Sequence, residues 1–362
     1  MRFSIGFAFL FLLLLSCEDP ADNSDDLSNI PYTPSDHYPI TYPDSFPVPS
    51  DDISNPRTKA GVQLGRHLFY DPILSLDSSI SCSSCHNPKL AFTDGKAFSP
   101  GVGGTLGNRS SMSLLNIVYF TNGLFWDGRS PNLIDQAKQP VENPVEMHEN
   151  WGNVEQKLRR STFYPELFRA AFGINKKSEI RKELAAKAIA QWESILIAGG
   201  NSHYYKVIRR KSAFTPDQAD GFTMYFNLDP RFPDAQCGHC HTGRLFASSN
   251  YFNNGLDSVG NVYEFKDPGR GAVSMAPLDY GRFKAPSLIN IQLSAPYMHD
   301  GRINTLEEVM EHYTKHVKPA PNIDPNVANL KLTDDQSRQI LAFINTLIDT
   351  SYYKNPDFFS PF

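Results

Sequence analysis

The chain contains the motif Cys82-Ser83-Ser84-Cys85-His86, and the same CxxCH pattern recurs as Cys237-Gly238-His239-Cys240-His241. Two thiols at this spacing form thioethers with the two vinyl groups of a haem, and the adjacent imidazole then ligates the iron. A thioredoxin-type redox motif does not explain both trailing histidines, and a zinc site would use the two cysteine pairs together. The sequence therefore predicts two covalently bound c-type haems, with His86 and His241 as their proximal ligands.

The composition is that of an ordinary globular protein. The chain has 362 residues, of which 40% are apolar and 20% are charged. This length allows about two domains with hydrophobic cores, and the composition excludes disordered, collagen-like and multi-span membrane proteins. Five cysteines are an odd and small number for a disulfide-rich secreted scaffold. Four of them lie in the two motifs, which leaves Cys17 to be explained.

Residues 1–16 have the layout of a secretory signal, because one basic residue precedes an apolar run that is too short to span a bilayer. The run ends at Leu14-Leu15-Ser16-Cys17, which resembles a bacterial lipoprotein box. In such a box the cysteine is acylated and becomes the mature N-terminus, whereas ordinary cleavage nearby would leave Cys17 unmodified. We expect an exported protein on the periplasmic side, held to a membrane by its N-terminal lipid only; the sequence does not say which membrane.

Residues 17–56 are predicted to form a disordered acidic tether. From residue 18 to residue 56 there are nine acidic residues, eight prolines and no Lys or Arg. Such a segment buries too little apolar surface to offset its ordering entropy. The body, residues 57–362, then carries 33 basic against 30 acidic residues, and this near neutrality argues against a nucleic-acid partner.

The chain also contains a loose internal repeat. Ser113-Leu114-Leu115-Asn116-Ile117 leads to Trp126-Asp127-Gly128-Arg129, and Ser287-Leu288-Ile289-Asn290-Ile291 leads to His299-Asp300-Gly301-Arg302. Each block then runs into a helix. When Leu133 is aligned with Leu306, Gln136 and Pro140 lie opposite Val309 and Tyr313. Tyr313 should therefore face in the second domain whatever Gln136 and Pro140 face in the first.

The fold class follows from the repeat and from helical periodicity, which is clear over residues 179–198 and after Thr333. No long alternating strand pattern is present. We predict a mainly α protein with two cytochrome c-like haem domains and long loops. The N-terminal haem domain should span residues 57–203, the C-terminal haem domain residues 204–352, and a tail residues 353–362.

Further motifs carry a family resemblance. They are the Trp126-Asp127-Gly128-Arg129 block, Asn143-Pro144-Val145-Glu146-Met147 and Ala295-Pro296-Tyr297-Met298-His299-Asp300-Gly301. Together with the two haem motifs, they make the sequence resemble the bacterial dihaem cytochrome c peroxidase family, which includes the MauG-type enzymes. The resemblance covers nearly all of residues 57–362.

The resemblance implies a division of labour between the two haems. The N-terminal haem would be peroxidatic, with Glu146 as its distal acid-base residue and Gln136 in its distal pocket. Trp126 would lie between the haems as a stepping stone for electrons, and the second haem would receive electrons from a donor.

Val102 departs from the pattern of ordinary members, which carry a distal histidine within a Ser-x-Gly-His-Gly sequence. In that family the histidine must leave the iron after reduction before peroxide can bind. The matching stretch here is Ser99-Pro100-Gly101-Val102-Gly103, and valine cannot ligate iron. We therefore expect a protein that is active without reductive activation.

Two further departures concern metal ligands. Ordinary members ligate the second haem with a methionine. This chain has Tyr313 at that position, as MauG-type members do. Met310 is the alternative ligand, and Tyr313 would then be a core residue that ligates no metal.

The resemblance also implies a calcium ion between the haems. Its candidate ligands are Ser110, where the family has asparagine, and the backbone carbonyls of Ser294 and Pro296.

The expected activity is the reduction of hydrogen peroxide to water with electrons from a small cytochrome c or another exported donor. The alternative is a MauG-type oxidase that uses peroxide-derived high-valent iron to modify a partner. A non-catalytic dihaem electron carrier or sensor fits less well, since a carrier gains nothing from a distal carboxylate. The sequence names neither the donor nor the oxidised substrate, and it leaves open whether the chain forms a homodimer.

Overall fold

The structure, a computed structural model, describes residues 25–50 and 52–362. The predicted signal and Cys17 lie outside the described residues. Within these ranges the α-helices are α1 Lys59–Tyr70, α2 Cys82–Cys85, α3 Leu133–Glu142, α4 Trp151–Arg160, α5 Tyr164–Phe172, α6 Lys182–Glu193, α7 His203–Ile208, α8 Pro216–Tyr225, α9 Cys237–Cys240, α10 Gly271–Ser274, α11 Leu306–Glu311, α12 Pro325–Ala328 and α13 Asp334–Ile344. No helix of this described part is both long and apolar enough to cross a membrane.

Short elements fill the loops between these helices. Strand β1 (Tyr251–Phe252) pairs antiparallel with strand β2 (Phe283–Lys284), and a π-helical turn, His312–His316, continues α11. The 3₁₀ helices are Pro72–Leu74, Pro88–Leu90, Val102–Gly104, Ile117–Tyr119, Lys177–Glu179, Val262–Glu264, Pro277–Asp279, Ile291–Leu293, Asn345–Leu347, Ser351–Lys354 and Pro356–Phe358. The prediction of a mainly α fold is confirmed.

Each half of the molecule is built on one close helix crossing. Helix α1 packs across α6, and α8 packs across α13. A Cβ atom on Gly65 of α1 would lie 1.9 Å from the carbonyl oxygen of Ala188, and one on Gly221 of α8 would lie 2.0 Å from that of Gln339. Only glycine allows the two backbones to approach this closely. The same crossing in both halves confirms that one design is used twice.

The loops that follow the two haem motifs repeat the same backbone conformations. Asn116 and Asn290 both adopt the left-handed conformation, with φ of 64° and 62°, and so do Gly128 and Gly301, with φ of 71° and 63°. Asparagine and glycine are the residues that tolerate this region best. The following helices are capped by side chains, α3 by Asn132 and α11 by a capping box between Thr305 and Glu308. The sequence repeat is therefore a structural repeat.

Separate hydrophobic cores surround the two crossings. The first core contains Leu64, Leu68, Val154, Phe168 and Ile189. The second contains Met224, Phe246, Ile340, Phe343 and Leu347.

The C-terminal tail returns to the first half of the chain. Tyr352 and Phe358 pack in a cluster with Phe92 and Trp192. The indole Nε1 of Trp192 donates to the carbonyl oxygen of Asp357 at 2.8 Å. The tail therefore completes the packing around the first haem motif.

The prediction of a disordered tether is wrong for residues 25–50. Leu27 lies in the first core and Phe46 in the second, and both are 3% exposed. The Tyr38 hydroxyl donates to Asp357 Oδ2 at 2.6 Å, and the Ser178 hydroxyl donates to Asp25 Oδ2 at 2.8 Å. Composition misled here because the segment lacks a core of its own but inserts its few apolar side chains into cores made by the body.

Candidate haem sites and the region between them

The first motif forms the one-turn helix α2, which begins after Ser81. The thiols of Cys82 and Cys85 are both free, and the amide of His86 closes the turn on the carbonyl oxygen of Cys82 at 3.0 Å. The buried His86 ring has its Nδ1 atom 2.8 Å from the carbonyl oxygen of Phe92. A carbonyl can only accept, so Nδ1 carries the proton and Nε2 keeps its lone pair. Burial lowers the pKa of His86, which keeps the imidazole neutral and able to ligate a metal.

The second motif forms helix α9 and repeats this arrangement. The Nδ1 atom of the buried His241 ring lies 2.8 Å from the carbonyl oxygen of Pro286. Burial again lowers the pKa of this histidine. The same tautomer is therefore fixed in both halves, with Nε2 free in each.

An apolar cavity of about 240 Å³ lies beside the second motif. Its walls include Cys237, Cys240, His241, Leu288, Val309, Met310, Tyr313 and Ile344. A haem needs apolar walls, two thiols at one edge and an imidazole below the ring, and this cavity supplies all three. The residues of the second site therefore fit a covalently attached haem.

Tyr313 and Met310, the two candidate ligands of the second haem, both line this cavity. The Tyr313 hydroxyl accepts one long hydrogen bond, from Asn254 Nδ2 at 3.5 Å, and burial raises the pKa of the phenol to about 12. Met310 is 6% exposed and packs in the second core. Val309 and Tyr313 line the cavity together. The choice between Tyr313 and Met310 stays a prediction.

Glu146 lies in the loop that follows α3. Asn143 Nδ2 donates to Glu146 Oε1 at 2.5 Å, while Oε2 has no hydrogen-bond partner in the described part of the chain. Burial raises the pKa of Glu146, although the Asn143 hydrogen bond and the charge of Arg129 oppose the shift. The carboxylate is close enough to Cys82 and Cys85 to contribute to the raised pKa of each thiol, behind the larger effect of burial. Glu146 therefore lies near the first motif.

Val102 lies directly beside Glu146. The Val102 amide donates to the carbonyl oxygen of Glu146 at 2.8 Å. A Cβ atom on Gly101 would lie 2.3 Å from the carbonyl oxygen of Val145. The two loops are thus in backbone contact. Gln136 lies within α3, the helix that precedes the Glu146 loop. Its half-buried side chain has no hydrogen bond to any described residue.

Trp126 lies between the two halves and borders the second cavity. Its Nε1 donates to the carbonyl oxygen of Ser110 at 2.9 Å, and its own carbonyl oxygen accepts from the amide of Lys284 at 2.9 Å. The indole is therefore held by the first half through its ring and by the second half through its backbone.

Arg109 stabilises the region around Trp126. Its Nη1 donates to Asp127 Oδ2 at 2.6 Å, while Nε and Nη2 both donate to Asp267 at 2.7 Å. Bidentate guanidinium-carboxylate pairs are among the strongest polar contacts in proteins. Asp127 follows Trp126 in the chain, and Ser110 follows Arg109, so this cluster fixes both attachments of the indole.

The three candidate calcium ligands all line the cavity that Trp126 borders. The Ser110 hydroxyl donates to the carbonyl oxygen of Met298 at 3.0 Å, and the Ser294 hydroxyl donates to that of Ile291 at 3.1 Å. With Pro296 they offer neutral oxygens and no carboxylate. No cluster of three or more His, Cys, Asp or Glu side chains suited to a metal is present within residues 25–50 and 52–362. The calcium ion stays a prediction.

Glu193 is a site residue that the sequence pattern does not single out. It is 4% exposed, its Oε2 has no partner among the described residues, and burial raises its pKa to about 8. Its charge contributes, after burial, to the raised pKa of Cys82, so the carboxyl lies near the first motif. The carbonyls of Ala188 and Gln339 occupy equivalent places at the two helix crossings. Glu193 and Ile344 each lie five residues further along, so they are equivalent positions in the repeat. A charged residue where the other half has an apolar one is the sequence signal that identifies Glu193.

Comparisons with known proteins agree with this geometry. The sequence profile of the family described as di-haem cytochrome c peroxidase matches residues 59–213. Methylamine utilization protein MauG of Methylorubrum extorquens is 33% identical over 308 residues, which cover 84% of this chain and 82% of that protein. Cytochrome c551 peroxidase of Nitrosomonas europaea is 31% identical over 317 residues, covering 87% and 86%. The crystal structure of a MauG-like protein associated with microbial copper homeostasis has a TM-score of 0.81 and 28% identity, covering 90% of this chain and 99% of that one.

Proposed function

Because the chain belongs to the di-haem cytochrome c peroxidase family, and so is an oxidoreductase that carries two c-type haems, we propose that it reduces hydrogen peroxide to water without prior reductive activation. Electrons would come from a cytochrome c-like donor. The observation that supports this most directly is the contact of Val102 with Glu146. The position that carries a blocking histidine in ordinary members holds a residue whose side chain has no ligand atom, and its backbone is bonded to that of Glu146.

The haem on Cys82 and Cys85, when bound, supplies the iron that binds peroxide and takes part in its two-electron reduction. His86 would ligate this iron through Nε2, since Nδ1 is committed to the carbonyl oxygen of Phe92. The hydrogen bond raises the electron density of the imidazole, which favours cleavage of the O–O bond.

Glu146 would move the proton that this reaction requires. Peroxide reduction removes a proton from one oxygen and delivers it to the other, so that the second oxygen leaves as water. Asn143 fixes the carboxylate through Oε1 and leaves Oε2 to accept and return the proton. The pKa of Glu146 is raised by burial, which suits a group that must both take and give a proton.

Trp126 would carry electrons between the two haem sites. Its ring borders the second cavity, and its attachments to Ser110 and Lys284 fix its position between the halves. Electrons would enter at the haem on Cys237 and Cys240, which Tyr313 and His241 would both hold. We further propose that the protein acts on the periplasmic side of a membrane, anchored through Cys17.

The test is steady-state peroxide reduction by the dihaem protein with a reduced small cytochrome c as donor. Glu146→Gln should lose turnover with both haems still attached, while Glu142→Gln, which changes an exposed glutamate at the end of α3, should keep it. A dihaem wild-type protein that neither reacts with peroxide nor oxidises the donor would disprove the proposal.

A second candidate function is the oxidation of a partner, the MauG-type activity. Tyr313 in the second cavity favours it, since the resemblance assigns tyrosine at this position to MauG-type members. The same experiment separates the two activities. Rapid spectral change with peroxide but poor turnover with every cytochrome donor would select the oxidase.

A further inference from the structure

Lys284 is a buried cation, and its burial requires a compensating negative charge. It ends strand β2, is 4% exposed, and lines the cavity of the second motif. A charged group this far from water is costly to bury unless an opposite charge or strong hydrogen bonds compensate it. Exposed lysines face no such requirement, so the surroundings of this one are informative.

The side chain of Lys284 has no carboxylate partner in residues 25–50 and 52–362. Its Nζ atom donates one long hydrogen bond, to the carbonyl oxygen of Asn122 at 3.4 Å. The ammonium also lies over the rings of Phe120 and Tyr251, 5.5 Å and 5.2 Å from their centres. These contacts are weaker than an ion pair at this degree of burial.

A second cation lies beside the first. The guanidinium of Arg270 lies 4.7 Å from the centre of the Tyr251 ring, and its Nη1 donates to the carbonyl oxygens of Asp127 and Gly128. It too forms no ion pair with a described residue. Burial, reinforced by the charge of Arg270, lowers the pKa of Lys284 to about 8, so the amine is still largely protonated at neutral pH.

The carboxylates of this region are committed elsewhere. Asp127 and Asp267 accept three hydrogen bonds from Arg109. Lys284, which lines the cavity, thus shares the Tyr251 ring with Arg270, while the neighbouring carboxylates are paired with Arg109. The arrangement is complete only with an acidic group that the cavity itself receives.

We propose that Lys284, with Arg270 beside it, binds a propionate carboxylate of the haem attached at Cys237 and Cys240. The inference rests on the proposed function only in requiring that this haem is present. Lys284 is then a positioning residue with two tasks. It holds the haem edge through its ammonium, and it holds Trp126 through its amide hydrogen bond at 2.9 Å. Its positive charge also favours the reduced state of the second haem, which suits a site of electron entry.

The test compares the reduction potentials of the two haems in Lys284→Met and wild type, by optical titration of the dihaem protein. The potential of the second haem should fall while that of the first haem is unchanged. Lys284→Arg should restore the wild-type value. Lys266→Met, which removes an exposed lysine from the neighbouring loop, is the matched control and should change neither potential. A Lys284→Met protein with both haems and a wild-type second potential would overturn the proposal.

A second variant covers the case in which Lys284→Met yields no dihaem protein. Arg270→Gln alters the less buried cation of the pair and should lower the same potential by a smaller amount; an unchanged potential there also contradicts the proposed site. Peroxide turnover of the wild-type protein is measured in parallel. If the wild-type protein shows no turnover but Lys284→Met lowers the second haem's potential, only the proposed function is overturned. If turnover is normal but that potential is unchanged in Lys284→Met, only the propionate site is overturned.

Discussion

The amide of Val102 donates a hydrogen bond to the carbonyl oxygen of Glu146 across 2.8 Å. The loop in which ordinary family members carry a distal histidine is therefore fixed by its backbone to the loop of the carboxyl that we propose as the acid-base group. Because this contact uses no side-chain atom of residue 102, a substitution there leaves the junction of the two loops intact.

Val102→His should return the histidine of ordinary members and make the oxidised protein slow to react with peroxide. If the new ligand occupies the iron nine-tenths of the time, the apparent rate falls about tenfold, by the fraction of protein that remains competent. Stopped-flow absorbance of the fully oxidised protein mixed with peroxide measures this, with Val102→Ala as the control. An equally fast reaction of the histidine variant would contradict the assignment of this loop.

Glu146→Gln should slow the reaction with peroxide by a factor of about 10² to 10⁴, the usual contribution of a general acid-base group. The rate should also depend on pH in wild type. Burial raises the pKa of Glu146, and the carboxyl must be ionised to take the first proton, so the rate should fall as pH falls through that raised pKa. The glutamine variant should lose this acidic limb. An identical pH profile in both proteins would remove Glu146 from its role.

Tyr313→Phe should change the ferric absorption and paramagnetic resonance spectra of the second haem if the phenol is its axial ligand. Met310→Leu, one turn earlier in the same cavity wall, is the matched control and should leave both spectra unchanged. The reverse pattern would assign the ligand to Met310.

Arg109→Gln should destabilise the protein by about 3–5 kcal/mol, because it removes the cation that pairs with the largely buried Asp267 and leaves Asp127 with Arg129 alone. Burial acts to raise the pKa of Asp267, but hydrogen bonds from Arg109 and the Gly269 amide bring it below the ordinary value. A lowered pKa stabilises the fold above the pKa of the unfolded chain, and this stability is lost as pH falls through the folded value. Without the arginine the pKa of Asp267 should rise, so the difference in unfolding free energy between variant and wild type should shrink on acidification. Urea unfolding at several pH values measures it; a constant difference would argue against the pairing.

Gly65→Ala should cost about 1–3 kcal/mol of stability through overpacking at the first helix crossing, since the new methyl group meets the Ala188 carbonyl oxygen. Gly221→Ala should have a similar effect in the second half. Gly260→Ala is the control, because its nearest neighbour would be the flexible Glu264 carboxylate at 3.6 Å. Thermal unfolding of the three variants should separate the first two from the third.

The haem attachment sites were predictable because each is local. A CxxCH spacing specifies a one-turn helix and its ligand within five residues, and the left-handed Asn116 and Asn290 recur because the loops recur. Residues whose environment is made by distant parts of the chain could not be found in this way. The burial of Glu193 and Lys284 depends on which elements pack over them, and the ordering of residues 25–50 depends on pockets formed by the rest of the molecule.

The hydrogen bond from Tyr38 to Asp357 joins residues 319 positions apart, and Phe46 of the same N-terminal segment lies in the second core. Contacts of such long sequence separation form late and slow the folding of a chain. Tyr38 and Phe46 therefore reach their final positions only after the second core and the segment around Asp357 have formed.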